Sequence, residues 1–293
     1  MRINTNVSSL TAQEAAVNTN NRITTSLEKL STGLKINKAS DDASGLAIAD
    51  KLRTQVTSIN QGVDNGNSAV TLLQIADKSM AEQSTILDTI KAKLIQANTD
   101  TTSADGKVSI AKDVNKLLEQ LNNIAVQTNY NGTNLLQAGR ASADGTKGLS
   151  FQVGENRGDL IKTKTIQSNT TGLKLTTLKK AASALSAAGS AGAVATNFGK
   201  TIISATQLLV DNAITKLNGY RGEIGSTQNQ VESAVRNLMT QSTNVKAAES
   251  IIRDVDYAKE SANFNKQNII SQAGSYAISQ ANSVQQNVLK LLQ

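Results

Sequence analysis

The sequence contains no histidine, cysteine, tryptophan or proline, and aromatic residues make up only 2% of its 293 positions. Without cysteine there is no disulfide, thiol nucleophile or thiolate metal site. Without histidine, the commonest metal ligand and the usual proton carrier near neutral pH are missing. These absences exclude most catalytic centres, so the sequence favours a structural protein that uses no cofactor.

The formal net charge of +7 comes almost entirely from one window of the chain. Residues 161–200 contain no acid and six lysines: Lys162, Lys164, Lys174, Lys179, Lys180 and Lys200. They lie among Gly, Ser, Thr and Ala rather than in an aromatic platform on which bases stack. We therefore predict a solvated outer face, with no nucleic-acid partner.

No apolar run reaches the roughly 18 residues that suggest a membrane span, so no membrane insertion is expected. The opening residues also lack the apolar stretch of a secretory signal peptide. Either the protein stays inside the cell or it leaves by a route that cleaves nothing. The absence of thiols favours export, because such a chain cannot be trapped by wrong disulfides.

Both ends of the chain carry apolar residues at alternating three- and four-residue steps, with a shift of phase near Val17 in the first segment. A spacing that averages 3.5 residues is typical of a coiled-coil seam. We therefore predict two terminal helices, each with an adhesive edge. The candidate self-assembly seam consists of Ile3, Val7, Leu10, Ile23, Leu27, Leu30, Leu34, Ile270, Ala273, Ala277, Val284, Val288 and Leu291.

The terminal segments carry very few charges. Between Lys266 and Lys290 no residue is charged, and between Arg2 and Arg22 only Glu14 is. Solvated helix surfaces normally carry charges of both signs, so these segments suggest helices covered by other subunits. The alternative is a frayed tail in the isolated chain. Both descriptions can hold, because the segments can be frayed before assembly and covered by other subunits after it.

The middle of the chain predicts mostly α structure with a small β-hairpin. Helical periodicity runs over about residues 43–98, after a linker at 33–45, and again from about residue 107 to 128. A further long helix is expected from about residue 201 to 245, antiparallel to the first of these. The segment 181–199, almost wholly Ala, Ser and Gly, predicts a short tip or surface loop.

The β-hairpin is predicted from a change of period. Leu149, Phe151 and Val153 alternate with polar residues, and Gly154–Gly158 offers a turn before a Thr- and Ile-rich run that ends near Gln167.

Candidate chemistry is sparse. Asp41 and Asp42 have the chemistry of a metal pair, but adjacent acids beside Ser and Gly are typical helix caps. No glycine pattern leads into a phosphate-binding Lys-Ser/Thr. The sequons at Asn6, Asn131 and Asn169 arise often by chance.

Two non-enzymatic interpretations remain: a self-assembling helical rod, or a helical signalling hairpin of chemoreceptor type. The uncharged heptad ends favour the rod.

Three motifs resemble the terminal signatures of bacterial flagellins. They are the opening Met-Arg-Ile-Asn-Thr-Asn, the stretch from Leu30 to Ala49 that includes Ala39-Ser40-Asp41-Asp42-Ala43-Ser44-Gly45, and the ending from Gln272 to Leu292. The similarity covers about residues 1–178 and 200–293. Little beyond 179–199 is left for the variable outer region of many members, so the chain resembles a near-minimal flagellin.

The resemblance implies a fold of nested coiled-coil domains built from long antiparallel helices. Residues 1–42 with 254–293 would form the inner domain, 43–178 with 200–253 the outer helical domain with its β-hairpin, and 179–199 a variable tip. It also implies a hollow, propeller-forming homopolymer for swimming, located outside the cell. Subunits would leave unfolded through a type III export apparatus, aided by a chaperone, and meet cap and hook-junction proteins. The terminal segments of each subunit would become ordered when it joins the filament.

The resemblance further bears on the vertebrate innate receptor that detects many flagellins. The equivalent segment here is Leu87–Gln96, with Ile90 among its residues. In recognised members an Arg occupies the place of Thr89 and a Leu that of Lys93, while the family's acid is retained as Asp113. Losing a guanidinium and an apolar anchor weakens an interface. We therefore predict poor receptor activation, as in the evading subset of flagellins.

Overall fold

The computed structural model describes residues 5–137, 148–188 and 198–291, apart from the side chains at 285 and 288–291. Helices dominate these ranges: α1 (Val7–Thr32), α2 (Ala43–Ala97), α3 (Ala104–Gln127), α4 (Thr176–Ala188), α5 (Lys200–Arg253) and α6 (Tyr257–Leu291). Four short strands accompany them: β1 (Asn129–Tyr130), β2 (Thr133–Asn134), β3 (Ser150–Gln152) and β4 (Leu160–Lys162). The predicted mostly α fold with a small β-hairpin is confirmed.

Local sequence signals explain where the helices begin. The Asn6 side chain accepts a hydrogen bond from the Ser9 N–H and so caps α1. The Asp42 carboxylate accepts one from the Gly45 N–H at 2.9 Å and caps α2 in the same way. Ser103 caps α3 through the Gly106 N–H. Asp42 is therefore the helix cap that the sequence predicts.

The structure corrects one prediction, because part of the segment expected to be a loop is helical. Residues 181–188 belong to α4, whose Leu178, Ala182 and Leu185 are fully or almost fully buried. Alanine has the highest helix propensity, and these three residues lie on one face at steps of four and three. The loop prediction was thus wrong for 181–188, and residues 189–197 lie outside the described part of the chain.

The chain divides into two compact units. The first comprises Met1–Thr57 with Ser242–Gln293, and the second comprises Ser58–Gln241. Both divisions fall within long helices, α2 and α5. The domain limits that the sequence suggests, 42/43 and 253/254, coincide instead with helix ends and stay a prediction.

The second unit has a continuous apolar core. Its largest fully buried side chains come from α2, α3, the segment after β2 and the segment around α4 and α5: Leu73, Met80, Leu87, Ile90, Leu94, Leu118, Leu121, Leu135, Leu136, Leu173 and Phe198. Ile59 of α2 is also fully buried, outside this cluster. Within this unit α2 and α5 run antiparallel, since Asp77 binds Arg221 at 2.9 Å and Lys91 binds Asp211 further along. The predicted antiparallel pairing is confirmed.

The predicted hairpin is β3 with β4, paired in antiparallel register with Phe151 opposite Ile161. It packs on α2 at a glycine: a Cβ atom at Gly62 would lie 2.4 Å from the Val153 carbonyl oxygen. The Asn65 side-chain amide also donates to the Gln152 carbonyl at 3.1 Å. Gly62 therefore allows the close approach of strand backbone to helix.

A second, shorter hairpin joins β1 to β2 through Asn131 and Gly132. Both residues have positive φ, 48° and 79°, as a type I′ turn requires. Tyr130 lies opposite Thr133. No helix in the described ranges is long and apolar enough to cross a membrane.

Candidate assembly surfaces

The terminal helices α1 and α6 pack against each other mainly through small and polar side chains, together with the half-buried Ile23, Leu30, Phe264 and Ile278. In α1 the least exposed positions recur at steps of three and four: Ser9, Ala12, Ala16, Thr19, Ile23, Ser26 and Leu30. The corresponding positions of α6 are Glu260, Phe264, Gln267, Ser271, Gly274, Ile278 and Ala281. We call these two sets the polar seam. Among the described side chains of the two helices, only those of Thr19, Ser26 and Gln267 are buried.

Hydrogen bonds along the polar seam fix the register of the two helices. The Asn6 side-chain amide donates to the Ala281 carbonyl at 3.1 Å. In mid-helix the Ser271 hydroxyl donates to the Asn20 side-chain oxygen at 3.3 Å. Near the other end the Ser26 hydroxyl donates to the Glu260 carboxylate. As residue numbers rise along α1, those of the partners fall along α6, so the two helices run antiparallel.

The loops beside these helices are joined by backbone pairing. Leu34 bridges Asp254, and the Val255 N–H donates to the Gly33 carbonyl at 3.0 Å. Gly33 has a φ of 74°, and a Cβ atom there would lie 2.9 Å from the Tyr257 hydroxyl oxygen. Glycine is therefore favoured at this position by its backbone conformation, and a larger residue would also have to displace the Tyr257 hydroxyl.

The loop from Gly33 to Asp42 is ordered by a carboxylate. Asp41 accepts hydrogen bonds from the backbone N–H groups of Lys38 and Asn37, each at 3.0 Å. These bonds hold the pKa of the Asp41 carboxyl below its ordinary value of 3.8. Lys38 also pairs with Glu28 at 2.7 Å, and this hydrogen bond raises the pKa of the Lys38 ammonium. Asp41 thus caps a turn of the loop, and of the two adjacent acids only Asp42 is the helix cap that the sequence predicts.

The polar seam leaves large apolar side chains of both terminal helices exposed. The exposed fractions are 60% for Val7, 54% for Leu10 and 55% for Val17 on α1, and 67% for Ile269 and 74% for Tyr276 on α6. By helical periodicity these residues lie roughly opposite the polar seam of their own helix. We call them, together with Val284 of α6, which is 53% exposed, the outer apolar faces. Each is an apolar strip that this chain itself leaves uncovered.

The predicted self-assembly seam divides between these surfaces. Ile23 and Leu30 lie on the polar seam, and Leu34 is half-buried beyond the end of α1. Val7 and Leu10, before the phase shift near Val17, are exposed; after it Ile23 and Leu30 face the partner helix, whereas Leu27 is exposed. On α6 the described members of the predicted seam, Ile270, Ala273, Ala277 and Val284, are all exposed. Ile3 and the side chains of Val288 and Leu291 fall outside the described part.

Sequence reasoning missed the polar seam because it followed apolar residues alone. A signal for it was present: Ser9, Thr19 and Ser26 share one heptad-like repeat with Ile23 and Leu30. Small side chains at such spacing allow close packing of two helices, but the sequence does not say which repeat faces the chain's own partner helix.

The receptor-equivalent segment is split between core and surface. Leu87 and Ile90 are fully buried in the second unit, whereas Thr89 is exposed. The Lys93 ammonium donates to the Asp113 carboxylate at 3.0 Å. The acid that the resemblance identifies is therefore neutralised by a lysine of the same chain.

The described residues offer no group of three or more acids that could bind a metal ion. Two lysines of the basic window pair with distant acids, Lys164 with Glu223 and Lys200 with Asp100, so part of that charge is locally balanced. Long helices, a self-contained core and uncovered apolar strips at the termini together define a helical structural protein that has surfaces available for assembly.

Comparison with known proteins agrees with this class. Residues 3–141 match the bacterial flagellin N-terminal helical region, and residues 208–292 match the bacterial flagellin C-terminal helical region. The flagellin of Bacillus subtilis is 34% identical over 306 aligned residues, covering 100% of each chain. The flagellar filament 33 kDa core protein of Treponema phagedenis is 33% identical over 296, again covering 100% of each.

A solved structure, that of Bacillus cereus flagellin, matches with a TM-score of 0.48 at 26% identity, covering 64% of this chain and 94% of that one. The two family regions and the full-length relatives are decisive: the chain belongs to the bacterial flagellin family. It is a structural subunit of the flagellar filament, which is a homopolymer, and not an enzyme. The resemblance and the structural role predicted from the sequence are confirmed, and the signalling hairpin is not favoured.

Proposed function

We propose that this subunit polymerises through the outer apolar faces of α1 and α6, which neighbouring copies cover in the filament. One observation carries the proposal: the terminal helices bury polar side chains against each other while Val7, Leu10, Ile269 and Tyr276 remain more than half exposed. Burying apolar surface contributes about 25 cal/mol per Å². Such strips therefore favour contact with further copies over contact with water.

The geometry favours an open rather than a closed assembly. The outer apolar face of α1 and that of α6 differ in sequence, so one copy presents two different strips to its neighbours. Contacts between unlike patches repeat head to tail and give an open helix unless the rotation closes a ring. The predicted hollow filament follows if these strips stack around a common axis.

The resemblance to flagellins supplies the remaining steps of the proposal. Subunits leave the cell unfolded through the type III export apparatus with an export chaperone, and they add to the growing filament beneath its cap. Hook-junction proteins connect the filament at its base. The location is extracellular. Among the described side chains of α1 and α6 no apolar one is fully buried, which supports this route, because such a pair costs less to open than the core of the second unit.

Charged substitutions on the outer faces test the assembly proposal. We expect Ile269→Asp and Val284→Asp to abolish filament growth from seeds, since a buried unpaired carboxylate is costly, while the second unit stays folded. The seam prediction makes the same statement for Val288→Asp and Leu291→Asp. Electron microscopy and sedimentation would follow growth, and circular dichroism would follow folding.

The matched control is Ala193→Asp, a substitution in the predicted outer tip, which lies outside the described residues. We expect this variant to form filaments normally. Normal filaments from Ile269→Asp and Val284→Asp would overturn the assignment of the outer apolar faces. Failure of Ala193→Asp would show that the tip takes part in packing.

We also propose that the innate receptor recognises this flagellin weakly. The supporting observation is that Asp113 already binds Lys93, while Thr89 offers only a short side chain on the exposed surface. A reporter assay with monomer should therefore show a weak response, and Thr89→Arg combined with Lys93→Leu should increase it. Thr85→Arg, one turn away on an exposed position, should not. A strong response to the unaltered monomer at nanomolar concentration would contradict the proposal.

A further inference from the structure

Asparagine is followed directly by glycine at three places in the sequence, and the structure gives each pair a different setting. Asn65-Gly66 lies within α2, and the Asn65 amide is held by Gln61 and Gln152. Asn218-Gly219 lies within α5 with both residues exposed. Asn131-Gly132 forms the exposed turn between β1 and β2. Identical dipeptides therefore occur in a half-buried helix, an exposed helix and an exposed turn.

We propose that Asn131 is a site of spontaneous deamidation, a covalent modification that the two helical pairs resist. The Gly132 backbone nitrogen attacks Cγ of Asn131, and the new C–N bond closes a five-membered succinimide. The bond from Cγ to Nδ2 breaks, and the proton from the Gly132 nitrogen leaves with the amide as ammonia. Water then adds to one of the two ring carbonyl carbons and opens the ring, leaving aspartate or isoaspartate. Water is the only co-reactant.

Backbone geometry does not favour the reaction at any of the three sites. Ring closure requires Cγ of asparagine and the next backbone nitrogen on the same side of the Cα–C bond. In an L-residue neither a helical ψ of about −42° nor the ψ of about +30° at the first central residue of a type I′ turn brings them there. The φ values of Asn131 and Gly132, 48° and 79°, identify that turn. The backbone must therefore rotate about ψ at every site before the ring can close.

Freedom to rotate about ψ separates the three sites. In a helix interior the glycine N–H is bonded to the carbonyl four residues earlier, so ψ cannot change without local unfolding. In the turn, no hydrogen bond among the described residues engages the Gly132 N–H, and a Cβ built on Gly132 would meet nothing within 4 Å. Both the attacking atom and the approaching water therefore have access.

The two products would alter the turn differently. Aspartate keeps the backbone and adds one negative charge at an exposed position. Isoaspartate adds a methylene to the main chain and so disturbs the register in which Tyr130 faces Thr133. That hairpin leads directly into Leu135, whose N–H bonds the Thr128 carbonyl at 3.1 Å and whose side chain is buried. Isoaspartate would therefore loosen this edge of the core.

The test is to incubate the purified full-length chain at mildly alkaline pH and map its peptides by mass spectrometry, with isoaspartyl methyltransferase labelling as a second readout. We expect conversion at Asn131 to be at least about tenfold faster than at Asn65 and Asn218, because the helical sites must open first. In denaturant the three rates should converge. Asn131→Gln, which cannot form the five-membered ring, should remove the isoaspartate label at this position.

Asn218 is the matched internal control, since it is also exposed but lies in a helix. Equal rates at Asn131 and Asn218 in the folded chain would overturn the proposal. So would an unchanged Asn131 in the folded chain when the denatured chain converts at all three sites. Isoaspartate labelling that persists in the folded Asn131→Gln variant would place the reaction elsewhere and would also overturn it.

Discussion

The two units of this subunit are both helical but bury different kinds of side chain. The second unit encloses leucines, isoleucines and a phenylalanine that are fully buried, such as Leu94, Leu118 and Phe198. The terminal helices bury Thr19, Ser26 and Gln267 against each other and expose their larger apolar residues. The difference shows that helical structure and an apolar core are separable. One unit is complete in a single chain, while the outer faces of the other are available to neighbours.

The contrast between the two units predicts that core substitutions in the second unit strongly lower its stability. We expect Leu118→Ala to lower its free energy of unfolding by about 2–5 kcal/mol, because Leu118 is fully buried and leaves a cavity. Urea denaturation followed by circular dichroism measures this. The control is Leu10→Ala on an outer apolar face, for which the isolated monomer should change by less than about 0.5 kcal/mol. Equal losses in the two variants would contradict the contrast between the units.

Two glycines of the second unit, Gly62 and Gly222, test how closely its elements pack. Gly62→Ala should cost about 1–3 kcal/mol, since its Cβ would lie 2.4 Å from the Val153 carbonyl oxygen. Gly222→Ala should instead stabilise by about 0.4–1 kcal/mol, because nothing lies within 4 Å of its Cβ position in α5. Thermal unfolding of both variants measures the difference. A stabilising Gly62→Ala would show that the hairpin does not pack closely on α2.

In the first unit we expect a smaller and more local effect from the polar seam. Ser26→Ala removes the hydroxyl that donates to Glu260 and should weaken the terminal pair by about 1 kcal/mol. Ser31→Ala, at an exposed position of the same helix, is the control and should be neutral. Hydrogen exchange of the α1 amides reports the change. Identical exchange in the two variants would mean that the hydroxyl contributes nothing to the helix pair.

The smallest expected effect is the response of the loop at Asp41 to acid. Its carboxyl pKa is lower in the folded chain than in the unfolded one because of the Lys38 and Asn37 N–H bonds. The stabilisation is therefore complete above pH 3.8 and is lost as the pH falls through the folded pKa. The contribution is below about 1 kcal/mol, since the group is exposed. Asp41→Asn should remove this acid dependence of exchange in residues 37–42, whereas a dependence that persisted would implicate another group.

The sequence predicted the helices well because their periodicity and caps are local. The α2 and α5 stripes, Asp42 as a cap and the alternation around Phe151 all depend on near neighbours. It failed at 181–188, where small residues were read as a loop although Ala182 and Leu185 pack into the core. It also missed the polar seam. Tertiary packing decides which repeat of a helix faces the rest of its own chain. Ser26 and its partner Glu260, for example, are 234 residues apart in sequence.

Hydrogen exchange of α1 and α6, measured in the monomer and again in assembled filaments, tests the central claim most directly. Covering the outer apolar faces should slow exchange of the α1 and α6 amides strongly on assembly, while α3, already enclosed in its own core, should change little. If α1 and α6 are as protected as α3 in the monomer and gain nothing in the filament, the terminal helices do not need neighbours and the proposed assembly surfaces are wrong.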